Sequence, residues 1–237
     1  MKKLVVLGLL AAAGASQAVT LFNNGPVVDA GGLSVLTLPA STFGFGAQTT
    51  LGNVVADNFT VTGAGWTVES LNFYAYQTGS TAFTFSVATW SVVSGDVNTG
   101  SVVASGVTGV TSGGRVGYRV TSTTLTDTAR SIYSVVTDVP DFALSAGNYW
   151  LRWGLTGTLA SGPWQPPTSN AAVGNAAQSI ASAAFVALVD TGSGLQVELP
   201  FTINGTVTAV PEASTSAMML LGALGLWGVA RRRQQQG

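Results

Sequence analysis

The chain has 237 residues and a formal net charge of −1, and it contains neither cysteine nor histidine. These absences exclude a disulfide framework, a Ser-His-Asp or Cys-His catalytic group and a histidine-based zinc site. Residues 19–209 carry four arginines, nine carboxylates and no lysine. Their net charge is therefore −5, and without a basic patch we expect no nucleic-acid partner.

The first 18 residues have the pattern of a secretory signal peptide. Two lysines follow the initial methionine, an apolar run covers 4–13, and Ser16 and Ala18 place small side chains at −3 and −1 of a cleavage site. We expect a short signal helix at 1–18 that the secretion machinery uses and that is then removed, so that the mature chain begins at Val19. A buried N-terminal helix or strand is the alternative interpretation.

Residues 19–209 are rich in Thr, Ser, Val, Gly and aromatic residues, which suit strands and the turns between them. Alternating apolar and polar runs recur at 58–62, 66–76, 83–90, 102–110, 117–120, 131–139, 149–155, 184–189 and 201–207. No amphipathic helical stretch separates them, which predicts one all-β domain, an antiparallel β-sandwich or jelly-roll.

Two segments of this domain are ambiguous. The alanine-rich stretch 170–189 is compatible with a short helix, but Gly174 and the polar Ser179 favour a loop followed by a strand. The residues up to Gly52 show weak alternation, and we expect them to form an unstructured or loosely paired arm.

The last 28 residues, 210–237, have the pattern of a sorting tail and not of a domain. A proline-containing motif interrupts the last predicted strand. The motif consists of Val210, Pro211, Glu212, Ala213 and Ser214. An apolar segment at 216–230 predicts a transmembrane helix, which at about 22 Å is shorter than the hydrocarbon core of about 30 Å. Three arginines follow it and would stop transfer on the cytoplasmic side, namely Arg231, Arg232 and Arg233. We expect transient membrane insertion, and a permanent membrane anchor is the alternative.

The order and spacing of these three parts resemble the PEP-CTERM sorting signal, over residues 210–233. The sequence departs from that family at Ala213, where the usual second proline of the motif is missing. The resemblance implies a partner, the multispanning membrane peptidase exosortase, which cuts near the motif. It also implies secretion across the inner membrane of a Gram-negative, exopolysaccharide-producing bacterium, with the cell surface, outer envelope or extracellular matrix as destination. Segments 53–61, 149–153 and 159–167 resemble ectodomains often attached to such tails, which implies a β-sandwich and no particular chemistry.

Two tryptophans are candidate sugar-stacking residues for an extracellular polysaccharide. Trp164 lies in a proline-rich loop that restricts its backbone, and Trp150 is predicted to share one face of a strand with Arg152. The alternative for Trp164 is a plug that closes one end of the core, because large aromatic side chains are mostly buried.

Acidic residues form two further candidate sites. Asp96 and Asn98 place oxygen ligands at alternate positions, as at the start of a calcium loop, but a hairpin turn explains them equally well. Paired carboxylates support glycosidase chemistry without histidine, yet the spacing of Glu69, Asp138 and Asp141 singles out no pair. Asp138 and Asp141 flank a proline and are expected in a turn. We therefore predict no catalytic residue, no bound metal and no cofactor.

These observations favour a non-enzymatic exported protein with a structural or adhesive role in the biofilm matrix or cell envelope. A carbohydrate-binding module of the same fold is the alternative, and a glycosidase-like enzyme is the third hypothesis.

Overall fold

The structure is a computed structural model that describes residues 18–208, Gly222 and Arg231. The predicted signal helix at 1–18 and the predicted hydrophobic helix at 216–230 therefore lie outside the described residues, apart from Ala18 and Gly222. Within the described part of the chain, no helix has the length and apolar character needed to cross a membrane.

Fourteen strands and one short 3-10 turn are present between residues 18 and 208. The strands are β1 Val19–Asn23, β2 Leu33–Leu36, β3 Phe45–Gly46, β4 Val54–Val61, β5 Trp66–Ala75, β6 Phe85–Ser94, β7 Ser101–Gly109, β8 Thr111–Thr121, β9 Ser131–Leu144, β10 Gly147–Gly157, β11 Trp164–Gln165, β12 Ala177–Ser179, β13 Val186–Ala187 and β14 Phe201–Val207. The 3-10 turn is Thr49–Leu51. The all-β prediction is confirmed.

Two six-stranded sheets pack face to face. The first sheet has the order β1-β14-β5-β9-β8-β2 and the second the order β13-β12-β4-β10-β6-β7, while β3 and β11 form a separate two-stranded ribbon. All pairings in the large sheets are antiparallel except that of β2 with β8, which is parallel. The architecture is consistent with the predicted β-sandwich.

Aromatic side chains from both sheets fill the space between them. Phe73 of β5 stacks on Trp153 of β10 with ring centroids 5.2 Å apart, and Phe201 of β14 lies 5.6 Å from the same tryptophan. Nearer the sandwich end, Phe59 of β4 stacks on Tyr149 of β10 at 5.6 Å. Because successive side chains of a strand point to opposite faces, the alternation in the sequence places one set of apolar residues in this core.

The N-terminal segment is not the loose arm that we expected, and this prediction is wrong. β1 pairs with β14, β2 pairs with β8, and β3 pairs with β11, so that residues 19–46 supply strands to both the first sheet and the ribbon. The weak alternation has a physical reason, since these strands have only two to five residues and lie at sheet edges or outside the large sheets.

The alanine-rich segment forms no helix, in agreement with the favoured interpretation of a loop and a strand. β12 adds to β4 at the edge of the second sheet, and the two-residue β13 pairs with β12. Gly174 lies against the Glu198 side chain, and a Cβ at this position would meet Glu198 Oε1 at 1.6 Å. The glycine therefore permits a close approach that a helix-forming residue would prevent.

Candidate functional sites

Trp164 contributes to a small apolar cluster outside the main core. It lies in β11, is half-buried, and packs on a cluster formed by Val27, Tyr76 and Ile132. Its indole Nε1 donates a hydrogen bond to Ser161 Oγ at 3.2 Å. Trp164 thus packs on a cluster separate from the main core, and both the plug interpretation and sugar stacking by Trp164 stay predictions.

Trp150 and Arg152 share the outer face of β10, as the period of two predicts. Both residues are half-buried, whereas Tyr149, Leu151 and Trp153 on the opposite face are buried. Phe185 covers the Arg152 guanidinium at 5.2 Å from its ring centroid.

Arg152 also donates a hydrogen bond through Nη2 to the Val97 carbonyl. Its Nε is buried and has no acceptor among the described residues. Burial lowers the pKa of Arg152, against the opposing charge of Asp96.

A groove of about 550 Å³ runs along this outer face of the second sheet. Arg152 and Phe185 lie in its wall together with six hydroxyl-bearing residues, namely Thr49, Thr89, Ser91, Ser105, Ser179 and Ser182. The groove therefore joins one cation, two aromatic residues, Trp90 and Phe185, and polar side chains, a combination suited to a sugar chain. Trp150 lies two residues from Arg152 on the same strand face but is not part of the groove wall.

Asp96 and Asn98 form hydrogen bonds within the protein. Asp96 Oδ1 accepts the backbone N–H groups of Asn98 and Thr99 at 2.8 and 3.0 Å, as in a side-chain-stabilised turn. The Asn98 amide pairs with the backbone of Phe185, 3.0 Å to its carbonyl and 2.7 Å from its N–H. Among residues 18–208, Gly222 and Arg231, no three acidic side chains are grouped so that they could hold a metal.

The expected turn at Asp138 and Asp141 is wrong, because both residues lie inside β9. Pairing with β5 passes from Val68↔Phe142 to Ser70↔Asp138, so that the residues around Pro140 bulge opposite Glu69. A proline has no N–H to donate to the ladder, and a bulge is one of the few places in a sheet that accept it. Both aspartates are exposed.

A carboxyl pair that the sequence analysis missed lies between the sheets. Asp57 of β4 is 0% exposed, and Glu198 approaches it from the segment before β14. The Asn24 amide nitrogen bridges them at 2.9 Å from Asp57 Oδ2 and 2.9 Å from Glu198 Oε2. The Leu199 N–H also donates to Asp57 Oδ2 at 2.8 Å.

The surroundings of this pair favour a shared proton. Burial, a hydrogen bond with the Glu198 side chain and the charge of Glu198 raise the pKa of Asp57 to about 9, although the Leu199 and Asn58 N–H groups oppose this shift.

The sequence contains one indication that Asp57 is unusual. Asp57 occupies an inward position between Val55 and Phe59, where alternation predicts an apolar residue.

A second pair of buried charged groups, also missed, lies near β2 and β8. Arg119 is 3% exposed and donates to the carbonyls of Phe43 and Thr42, each at 2.9 Å, and to Ser34 Oγ at 3.1 Å. Burial lowers the pKa of Arg119 to about 10, opposed by the charges of Tyr76 and Asp190.

Asp190 is 5% exposed and is surrounded by N–H donors. Its carboxylate accepts the backbone N–H groups of Ser41, Thr42, Gly192 and Ser193 at 2.8–3.3 Å. Burial alone would raise the pKa of Asp190, but these donors outweigh it and hold the pKa well below its ordinary value of 3.8.

Comparison with known proteins informs only the C-terminal tail. No curated protein matches the chain. The predicted motif residues, at 210–214, and Arg232 and Arg233 lie outside the described residues. Residues 209–234 match the family model described as the PEP-CTERM protein-sorting motif, in agreement with the resemblance seen in the sequence. The chain thus carries a PEP-CTERM sorting signal, which implies processing by exosortase and export to the bacterial cell surface.

Proposed function

We propose that this chain is a non-catalytic protein of the cell envelope or extracellular matrix of a Gram-negative bacterium, with a structural or adhesive role. The observation on which the proposal rests is the sorting motif at residues 209–234. The β-sandwich supports it, because a large aromatic core stabilises the domain outside the cell without disulfide bonds.

The buried position of Asp57, one member of the carboxyl pair, also favours a non-catalytic role. Glycoside hydrolysis needs two carboxyl groups that flank a sugar bond from opposite sides. Asp57 is fully buried, and its oxygens accept hydrogen bonds from Asn24, Asn58 and Leu199. A substrate would have to displace these partners and open the core, so the pair is suited to stabilising the fold.

Fractionation of the native protein tests the proposed location. We expect a mature species in the matrix or outer-envelope fraction, with an intact mass that corresponds to a chain from Val19 to a residue within 211–214. Deletion of the exosortase should retain the tail and shift the protein to the inner membrane. Recovery of the uncleaved chain in the inner membrane of the wild-type strain would contradict the proposal.

A carbohydrate-binding module is the second candidate, and the groove beside Arg152 favours it. Hydroxyl groups, a cation and the Phe185 ring line an open channel on the outer sheet face. Such a channel suits an extended polysaccharide chain, and Trp150 adds an aromatic side chain to the same face.

Affinity electrophoresis in gels that contain the exopolysaccharide distinguishes the two candidates. The carbohydrate-binding hypothesis expects retardation of the exported protein, reduced in Trp150→Ala or Trp164→Ala. Leu125→Ala is the matched control, because Leu125 is an exposed apolar residue on the loop between β8 and β9. Unretarded migration of the wild-type protein would contradict this second candidate and leave the structural role.

A further inference from the structure

Three loops at one side of the sandwich enclose a cavity of about 450 Å³. The wall comprises residues 35–40, which are the end of β2 and the loop after it, residues 167–172 after β11, and residues 190–197 before β14. Arg119 of β8 lies in the wall. The volume falls within the range of small-molecule sites in proteins.

Arg119 brings a positive charge to this wall, and no charged group accepts a hydrogen bond from it, although the charge of Asp190 acts on it from beyond contact distance. Its three hydrogen-bond acceptors are neutral, two backbone carbonyls and the Ser34 hydroxyl. A guanidinium has five N–H groups, so two of them have no acceptor among the described residues. A buried charge is costly unless an opposite charge accompanies it, which makes this cation a binding group for an anion.

Asp190 lines the same cavity but does not neutralise Arg119 by direct contact. Within residues 18–208, no carboxylate comes within 4.0 Å of the Arg119 guanidinium. The Asp190 oxygens already accept hydrogen bonds from four backbone N–H groups. Its negative charge is therefore stabilised locally, and Arg119 keeps its remaining N–H groups.

A second, independent observation also indicates a ligand. Thr168 lies in the cavity wall and is 3% exposed, yet its Oγ1 has no hydrogen-bond partner among the described residues. Buried hydroxyl groups are normally hydrogen-bonded. The wall also contains the side chains of Asn170 and Ser169, and apolar surface from Pro39 and Pro167.

We propose that this cavity binds a uronate unit, a sugar with one carboxylate, from an acidic extracellular polysaccharide. The planar guanidinium suits a planar carboxylate, to which it donates two parallel hydrogen bonds. Thr168 and Asn170 supply partners for sugar hydroxyls, and the proline surfaces contact the apolar face of the ring. The choice of a uronate from a polysaccharide rests on the proposed extracellular function, whereas the need for an anionic group follows from Arg119.

Calorimetric titration of the exported protein tests the proposal, with galacturonate, glucuronate, galactose, glucose and inorganic phosphate as probes. We expect a uronate to bind and the neutral sugars to bind at least about tenfold more weakly, because they lack the charge-assisted hydrogen bonds to Arg119. Arg119→Met should abolish uronate binding. That variant also loses three internal hydrogen bonds, so a second variant is needed in case it does not fold.

Ala172→Phe is this second variant. Ala172 lies in the cavity wall, so we expect the larger ring to block the cavity while the chain keeps Arg119. Ala184→Phe, at an exposed position outside the cavity, is the matched control and should bind as the wild type does. Uronate binding that survives in Ala172→Phe would overturn the assignment to this cavity.

Three other outcomes would also overturn the proposal. They are no heat of binding with either uronate, equal affinity for uronates and neutral sugars, and tighter binding of phosphate than of uronates. None of them bears on the proposed function, because that is tested by the fractionation and mass of the native protein.

Discussion

Asp57 and Asp190 are both buried carboxyl groups, yet their pKa values shift in opposite directions. Asp57 faces a second carboxyl group, and its pKa rises to about 9. Asp190 accepts four backbone N–H groups and lies near Arg119, and its pKa falls. Burial raises the pKa in both cases, so the neighbours decide the protonation state. The fold thus keeps one acid protonated and the other ionised at neutral pH.

Removal of the ionised carboxylate of Asp190 tests one side of this comparison and should cause the largest loss of stability. Asp190→Ala leaves buried N–H groups of two loops without an acceptor and takes the nearby negative charge from Arg119. We expect the free energy of unfolding to fall by about 3 to 5 kcal/mol. Chemical denaturation of the exported protein measures it.

Asp141→Ala is the matched control, since Asp141 is an exposed aspartate of β9. Its effect should stay within about 0.5 kcal/mol. An equal loss of stability in both variants would show that the hydrogen bonds to Asp190 contribute nothing particular.

The pH dependence of stability tests the protonated side of the comparison. Folding raises the pKa of Asp57 from 3.8 to about 9, so the folded state binds more protons than the unfolded state between these values. The stabilisation is therefore complete below about pH 4 and is lost progressively as the pH rises through 9. We expect the free energy of unfolding to decrease by about 2 to 4 kcal/mol between pH 5 and pH 9.

Asp57→Asn should flatten this profile, because an amide cannot lose the proton that Asp57 shares with Glu198. Asp138→Asn, which changes an exposed aspartate of β9, should keep the profile of the wild type. Below about pH 4 the slope reverses, because protonation of Asp190, whose pKa is lowered, then destabilises the fold. A wild-type stability that rises between pH 5 and pH 9 would contradict the shared proton.

The smallest predicted effect concerns Asn24, which bridges the carboxyl pair. Asn24→Ala removes hydrogen bonds to Asp57, to Glu198 and to the Leu199 carbonyl. We expect a loss of about 1 to 2 kcal/mol at pH 5 and a larger loss at pH 9, because Asp57 loses its proton near that pH and the amide then donates to a charged carboxylate. Thermal unfolding at the two pH values measures the difference, and an equal loss at both would argue against an electrostatic role for the bridge.

The positions of several strands followed directly from the sequence. The runs predicted at 66–76, 102–110 and 201–207 correspond to β5, β7 and β14 within one residue or two at each end. These predictions succeeded because alternation with a period of two is a local property, which each strand shows by itself. The face shared by Trp150 and Arg152 follows from the same rule.

The candidate sites were harder to predict, because each combines distant parts of the chain. Asp57 could have been recognised as unusual from its inward position in β4, but its partner Glu198 lies next to it only after β4 and β14 join opposite sheets. Arg119 has no local pattern that distinguishes it from Arg115, which is exposed on the same strand. Its burial results from β2 and the loop at 42–43, which cover it.

The sequence by itself determined the all-β class, most strands of the sandwich and the C-terminal sorting motif, because alternation and a linear motif depend on neighbours along the chain. The tertiary structure alone decided that β1 and β2 complete the first sheet, that Asp57 meets Glu198, and that Arg119 and Thr168 line one cavity. These features depend on the pairing of strands that are far apart in the sequence. The burial of apolar surface is non-directional, so by itself it is compatible with many such pairings. Hydrogen bonds and charges distinguish between these arrangements only when folding has brought the distant residues together.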